Sequence, residues 1–444
     1  MTYAEALEYI KSCDWRGSVP GLERISVLCT LLGNPQNGLR FIHVAGTNGK
    51  GSICAFLSYI LKEAGYRVGL FTSPYIEVFN ERMQVNNRNI SDKELAEIVE
   101  YIRPFADSME DQPTEFELNT AIAFEYFKRK NCDIVILEAG MGGELDSTNV
   151  INTPELAVFS AIGLDHTQFL GDTVEKITAT KAGIIKKGGR VVLYKPEKAS
   201  VEKIIRKKCE REGAELFISE PKKLKRREDG SFSQHFTYSG LGDFEIPLAG
   251  NCQLENAAVV LKALEVLGTA GFHIPWESVA RGFSETKWPG RFEKISDAPV
   301  VIVDGAHNPQ GVSAATQTLR RIYGDRKIIF IFGVLADKDY AQMTADILPA
   351  AKAVYAVSPE NKRALGAEDL AEYIKKSSPG TAARACGTIK DAVRLALEET
   401  QHDDIICALG SLYMVSDIKK AFSGAFARGD GTVEGGRDYG NSKI

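Results

Sequence analysis

The residues best placed to do chemistry sit in one stretch, Gly46-Thr47-Asn48-Gly49-Lys50-Gly51-Ser52. The apolar, β-branched run from Phe41 to Val44 predicts a buried strand ahead of it, and the apolar pattern from Ile53 to Ala64 predicts a helix behind it. Strand, glycine-rich turn and helix together cradle phosphates, because turn N–H groups and the positive end of the helix dipole both face the anion. Lys50 adds a point charge for the β- and γ-phosphates, and a hydroxyl such as that of Ser52 would meet Mg²⁺. The general P-loop pattern is met imperfectly. Val44 stands where its first glycine belongs, and Gly51 separates Lys50 from Ser52. A glycine-rich turn with no ligand is the competing reading.

Other reactive side chains follow apolar runs, where open parallel sheets gather their ligands. Ser73 follows one such run, Glu138 ends a second, and Asp165-His166 follow a third. A hydroxyl, a carboxylate and an imidazole around a phosphate loop could hold Mg²⁺, although imidazole is a less usual ligand for it and His166 could equally be structural. Gly140-Met141-Gly142-Gly143 permits close backbone approach, and Asp146-Ser147-Thr148-Asn149 is either a ligand cluster or an Asx-capped turn. Asp304-Gly305-Ala306-His307-Asn308-Pro309 and Gly410-Ser411 close strands further along. They would face the phosphate loop if the chain folds as two domains around a cleft.

The elements that must position these residues alternate. Helices are expected at Ala4 to Cys13, from Ser91-Asp92 towards Arg103, at Thr114 to Lys130, Thr173 to Lys187, Val201 to Glu212 and Asn251 to Leu267. Strands are expected at Arg67 to Phe71, Asp133 to Leu137, Leu156 to Ser160, Arg190 to Leu193 and Glu215 to Ile218, with Tyr75 to Arg88 a loop. The fold class is therefore α/β, with a mainly parallel doubly wound sheet. From Pro221 to Ile246 weak alternation suggests hairpins, and the basic run Lys222 to Arg227 reads as a solvated turn. Four more apolar strands, at Val300 to Val303, Ile328 to Phe332, Ala353 to Val357 and Ile405 to Leu409, make a smaller second α/β domain. The expected division is 1–295 and 296–427, with a polar, glycine-rich tail at 428–444 that reads as disordered.

The length of 444 residues suits two or three domains, and the net charge of -5 gives no reason to expect nucleic acid or an anionic membrane as partner. The eight cysteines lack CxxC spacing, which speaks against zinc ribbons and disulfide scaffolds and for free thiols in a reducing compartment. The N-terminus reads as an amphipathic helix and no apolar run could span a bilayer, so a cytoplasmic location is the expectation.

Taken in order, HVAGTNGKGS (43–52), FTSPY (71–75), ERMQVN (81–86), TEFE (114–117), LEAGMGGELDSTNV (137–150), IGLDHTQFLG (162–171), TKAGIIK (180–186), GNCQLENA (250–257), WPGRFE (288–293), DGAHNP (304–309) and LADKD (335–339) are motifs of one family. The chain resembles the folylpolyglutamate synthase and dihydrofolate synthase family within the Mur ligase superfamily, from its N-terminal helix to GSLYMVSDI near residue 418. The inserted Gly51 is what that family shows. Tyr75 stands where His is commoner and Glu144 where Arg is frequent; both positions lie in the region where the family binds its pteridine-bearing substrate.

The resemblance implies a P-loop ATPase domain followed by a smaller Rossmann-like C-terminal domain. It also implies an ATP-driven ligase that joins L-glutamate to folates, to dihydropteroate, or to both, through an acyl phosphate. By the same resemblance Asn48, Gly49, Lys50, Gly51 and Ser52 bind the triphosphate, and Asn256, Arg291 and Asp304 contact ATP from its far side. Ser73, Glu138 and His166 resemble the Mg²⁺ set, and Lys181 matches a lysine carbamylated in the superfamily to help bind a second Mg²⁺. Glu115, Asp146, Ser147 and Thr148, together with Ser73, match the region of the pterin substrate. His307 and Ser411 match positions that hold glutamate or assist the second step. A monomer that acts on small molecules is the expectation. The alternatives are an enzyme specific for one acceptor, another Mur-type amino-acid ligase, and an inactive nucleotide-binding regulator.

Overall fold

The computed structural model describes residues 1–13, 17, 19–227, 232–401 and 403–427; the tail expected to be disordered lies outside these. The chain divides into two compact units, Met1–Pro247 with Cys252–Trp288, and Leu248–Asn251 with the residues from Pro289 on.

In the first unit β1 (Phe41–Ala45), β2 (Val68–Phe71), β3 (Met83–Val85), β4 (Arg88–Asn89), β5 (Ile134–Glu138), β6 (Leu156–Phe159), β7 (Arg190–Leu193) and β8 (Glu215–Ile218) form one sheet. Its order is β4-β3-β2-β5-β1-β6-β7-β8. From β2 to β8 every pairing is parallel, while β2/β3 and β3/β4 are antiparallel. The sheet is therefore mixed. The β3–β4 hairpin replaces the loop expected at Tyr75 to Arg88. Its turn is Asn86-Asn87, both at positive φ (50° and 60°), a conformation Asn tolerates through local hydrogen bonding.

β1 lies at the centre, with all five residues buried. Leaving it, the chain enters the Lys50–Glu63 helix, which begins three residues before the expected Ile53, so Lys50, Gly51 and Ser52 form its first turn. Gly49 (φ +89°) makes the reversal that starts it. The Thr114 and Ser91 hydroxyls close capping boxes with Glu117 and Glu94, fixing the starts of Glu115–Arg129 and Asp92–Asp107. The helix expected to reach Lys187 ends at Lys181 and tightens into a 3-10 turn at Ala182–Ile184. Phe41, Phe71, Phe124 and Phe127 anchor the core on one face of the sheet. Burying each such ring contributes about 2–3 kcal/mol.

β9 (Leu224–Arg227), β10 (Gln234–Tyr238) and β11 (Asp243–Ile246) make a small antiparallel sheet. The basic run is thus largely a strand, not a turn, because pairing with β10 fixes it.

The second unit holds β12 (Glu293–Asp297), β13 (Val300–Val303), β14 (Ile328–Phe332), β15 (Ala351–Ala356), β16 (Ala382–Ala385) and β17 (Ile405–Leu409), ordered β12-β13-β17-β14-β15-β16. All pairings are parallel except β12/β13. The edge strands β12 and β16 are additions to the expected four. Neither has an apolar run to betray it, as befits edges.

Candidate active site

The glycine-rich turn is pinned at both ends by backbone. Thr47 and Asn48 N–H groups donate to the Ala161 carbonyl (2.8 and 3.2 Å), tying the exit of β1 to the exit of β6. Gly46 cannot carry a side chain, since a Cβ there would fall 1.9 Å from Ser160 Oγ. At Gly49 a Cβ would meet Asn256 Oδ1 at 2.5 Å, and at Gly51 the Trp288 indole at 2.9 Å. Gly51, inserted between Lys50 and Ser52, is therefore the floor on which Trp288 lies. The N-cap residue, Gly49, makes no side-chain cap to the Lys50–Glu63 helix, and first-turn N–H groups of a helix are the ones that receive an anion. The Lys50 ammonium rests 3.3 Å from the Thr47 carbonyl.

Lys181 closes this turn from below. It is the last residue of the Val174–Lys181 helix, is 4 % exposed, and donates from Nζ to the Gly46 carbonyl at 2.7 Å. Burial, with the nearby Lys50 charge, lowers its pKa to about 7. A buried amine near neutrality is what carbamylation needs, because only the neutral form attacks CO₂.

Glu138 ends β5, opposite Val44 of β1, and is buried. Its Oε2 accepts the Ser73 N–H at 3.2 Å, so the structure brings Ser73 and Glu138 together as the sequence suggested. His166 is in the left-handed region (φ +49°) at the start of the Thr167–Leu170 helix, with Nε2 3.9 Å from Asp165 Oδ2. Among the described residues no three His, Cys, Asp or Glu side chains cluster as a metal site. One buried carboxylate beside a serine nonetheless fits Mg²⁺, which keeps waters and takes its other oxygens from substrate phosphates.

The connection from β5 to β6 must cross the face of β1, and it does so almost without helix. Asp146, Ser147, Thr148 and Asn149 are buried in it. Asp146 accepts N–H groups from Met141 (2.7 Å) and Thr148 (3.0 Å), and the Thr148 hydroxyl at 2.5 Å. Burial raises its pKa against those bonds. Most of its hydrogen-bonding capacity thus goes to shaping this connection. Beneath lies His43, fully buried on β1, with Nε2 2.8 Å from Thr148 Oγ1. Thr148 gives its proton to Asp146, so His43 must donate from Nε2–H and is neutral. Burial, then the Lys186 charge, lowers its pKa to about 3. His43 escaped the sequence reading; a lone imidazole in the apolar run Phe41–Ala45 was its signal.

Glu115 receives Arg82 at 3.8 Å, and the Arg82 guanidinium lies 5.1 Å from the Tyr75 ring centre and 5.6 Å from that of Phe79. The two departures differ in setting. Both are solvent-exposed, but Tyr75 packs into this aromatic and cationic group.

In the second unit Asp304 follows β13. Its carboxylate accepts the Phe292 N–H (2.6 Å) and the Ala306 N–H (2.7 Å), and burial raises its pKa against the pull of Arg291. Arg291 lies over Gly305, where a Cβ would be 2.5 Å from Nη1. His307 Nδ1 is 2.9 Å from the Gly305 carbonyl, so Nδ1–H donates there. Ser411 is buried after β17 and accepts the Tyr413 N–H at 3.3 Å.

The comparisons with known proteins are consistent across the chain. The Mur ligase middle domain matches residues 44–264, and the Mur ligase glutamate ligase domain matches 290–412. The dihydrofolate synthase/folylpolyglutamate synthase of Bacillus subtilis is 37% identical over 94% of this chain and 98% of its own length. The folylpolyglutamate synthase of Lacticaseibacillus casei is 35% identical over 96% and 99%. The fold matches apo L. casei FPGS with a TM-score of 0.83 at 32% identity, covering 95% of this chain and 100% of that one. E. coli FolC in complex with DHPP and ADP gives 0.84 at 28% identity, covering 96% and 99%. With both units matched in order, the chain belongs to the folylpolyglutamate synthase and dihydrofolate synthase family of Mur ligases.

Proposed function

We propose that this protein is an ATP-dependent ligase that adds L-glutamate to folates and to dihydropteroate through an acyl phosphate. The observation that carries the reading is the buried Lys181 amine on the Gly46 carbonyl, directly behind an uncapped glycine-rich helix start. Such a site serves phosphoryl transfer rather than passive nucleotide storage, because it places a titratable, modifiable group beside the anion.

The acceptor carboxylate attacks the γ-phosphorus of ATP, the bond to the bridging oxygen breaks, and ADP leaves. The amino group of glutamate then attacks the acyl carbon, loses a proton and expels phosphate. The turn amides and Lys50 neutralise charge on the transferring group. Ser73, Glu138 and His166 would hold Mg²⁺, with a carbamylated Lys181 helping to hold a second ion. When bound, Mg²⁺ supplies further neutralisation and brings carboxylate and triphosphate together. Asn256, Arg291 and Asp304 hold the remainder of ATP; His307 and Ser411 hold glutamate or assist the second step. Glu115 and Thr148 belong to the pterin side, with Asp146 acting mainly by shaping the connection that carries it. In fold terms the first unit is a P-loop ATPase domain and the second a Rossmann-like one, acting in a monomer.

Incubation with ATP, Mg²⁺, glutamate and either tetrahydrofolate or dihydropteroate tests this. ADP release is expected with both acceptors. Release with one alone would make the enzyme monofunctional, and release with neither would refute the reading.

A further inference from the structure

Gln253 and Asn256 are separated by three positions at the start of the Cys252–Thr269 helix, so they share a face. That face meets the glycine-rich turn. Gln253 Nε2–H donates to Ser52 Oγ at 3.2 Å, and Asn256 Nδ2–H donates to Gln253 Oε1 at 3.0 Å. All three side chains are at least nine-tenths buried: Ser52 is 2 % exposed, Gln253 4 % and Asn256 3 %. We propose that Gln253 is a positioning residue for the nucleotide, because its carboxamide fixes how the Ser52 hydroxyl and the Asn256 amide face the turn.

The chemistry is directional. Ser52 Oγ accepts from Gln253, so its one proton must go to another acceptor, and in the working enzyme that acceptor is a phosphate oxygen. Gln253 Oε1 is occupied by Asn256, which turns Asn256 Oδ1 towards Gly49 at the helix start. Neither glutamate nor methionine at this position can do both. Glutamate has no N–H for Ser52, so it would draw the hydroxyl proton towards itself and set a negative charge behind the triphosphate. Methionine keeps the length and leaves Ser52 and Asn256 unpaired. The inference rests on the phosphate-site reading above.

The experiment compares Gln253→Glu, Gln253→Met and Lys50→Ala with the unaltered enzyme. It measures KM for ATP, KM for glutamate, and thermal protection by ADP, which needs no turnover. Gln253→Glu is expected to raise KM for ATP by about tenfold or more, as for loss of a hydrogen bond to a charged group. KM for glutamate should stay within about twofold and most ADP protection should vanish. Gln253→Met should give a smaller effect in the same direction, and it serves if the glutamate variant does not fold. Ser52→Ala combined with Gln253→Met should raise KM for ATP by less than the two single effects together, as expected when both act on the nucleotide through one hydrogen bond. Unchanged KM for ATP and full ADP protection in both Gln253 variants, with Lys50→Ala unprotected, would overturn the proposal and leave the phosphate site intact. Full protection of Lys50→Ala would overturn the site reading itself.

Discussion

Lys181 offers the sharpest test of how the buried amine is used. A lysine at its ordinary 10.5 is neutral in about one molecule in 3,000 at neutral pH, whereas at about 7 it is neutral in about half. Burial therefore raises the reactive amine by about three orders of magnitude. The sign follows directly. The neutral fraction falls to about one-tenth at about pH 6 and exceeds nine-tenths at about pH 8, so carbamate should form at the higher pH and fade at the lower. The assay holds dissolved CO₂ constant and follows ADP release at both pH values, alongside NMR detection of carbamate from isotopically labelled bicarbonate. Stripping CO₂ should depress activity, and adding bicarbonate should restore it, more completely at about pH 8 than at about pH 6. Lys181→Met should be inactive and show no carbamate signal. Activity indifferent to CO₂ at both pH values, with no carbamate signal, would refute the assignment.

Three further outcomes are expected. His43 is neutral when folded, with its pKa at about 3, so as pH falls below about 6.5 the unfolded chain takes up a proton that the native chain refuses. Its contribution to stability should decline by about 1.4 kcal/mol per pH unit, and His43→Leu should remove that slope from acid denaturation curves. Gly49→Ala places a Cβ at φ +89° and 2.5 Å from Asn256 Oδ1, so nucleotide protection measured by thermal shift should fall sharply; the backbone strain alone is about 1–2 kcal/mol. Asp304→Asn turns an NH₂ towards one of two backbone N–H donors, at 2.6 and 2.7 Å. It should cost about 1–3 kcal/mol in denaturant unfolding.

Much of this was legible in the residues because the relevant signals are local. β1 and the turn after it announce themselves by an apolar run meeting Gly46, Gly49 and Gly51. Ser73 and Glu138 were found as strand ends, and the sheet does bring them together. What stayed hidden depends on partners distant in sequence. β16 and β12 are edges without apolar patterns, and only their neighbours make them strands. The Lys50–Glu63 helix starts earlier than periodicity allowed because Gly49 provides the reversal, which propensity counts against a helix. Gln253 and His43 were passed over for a similar reason. Their roles come from Ser52 and Thr148, each more than a hundred positions away.

The most direct test of the proposed chemistry follows oxygen. If the acceptor carboxylate attacks the γ-phosphorus, one of its oxygens must leave in the phosphate released when glutamate displaces it. With heavy oxygen in the acceptor carboxylate, mass spectrometry should find one labelled oxygen in each phosphate produced. Unlabelled phosphate accompanying glutamylated product would contradict the acyl phosphate and, with it, the role assigned to the turn at Gly46–Ser52.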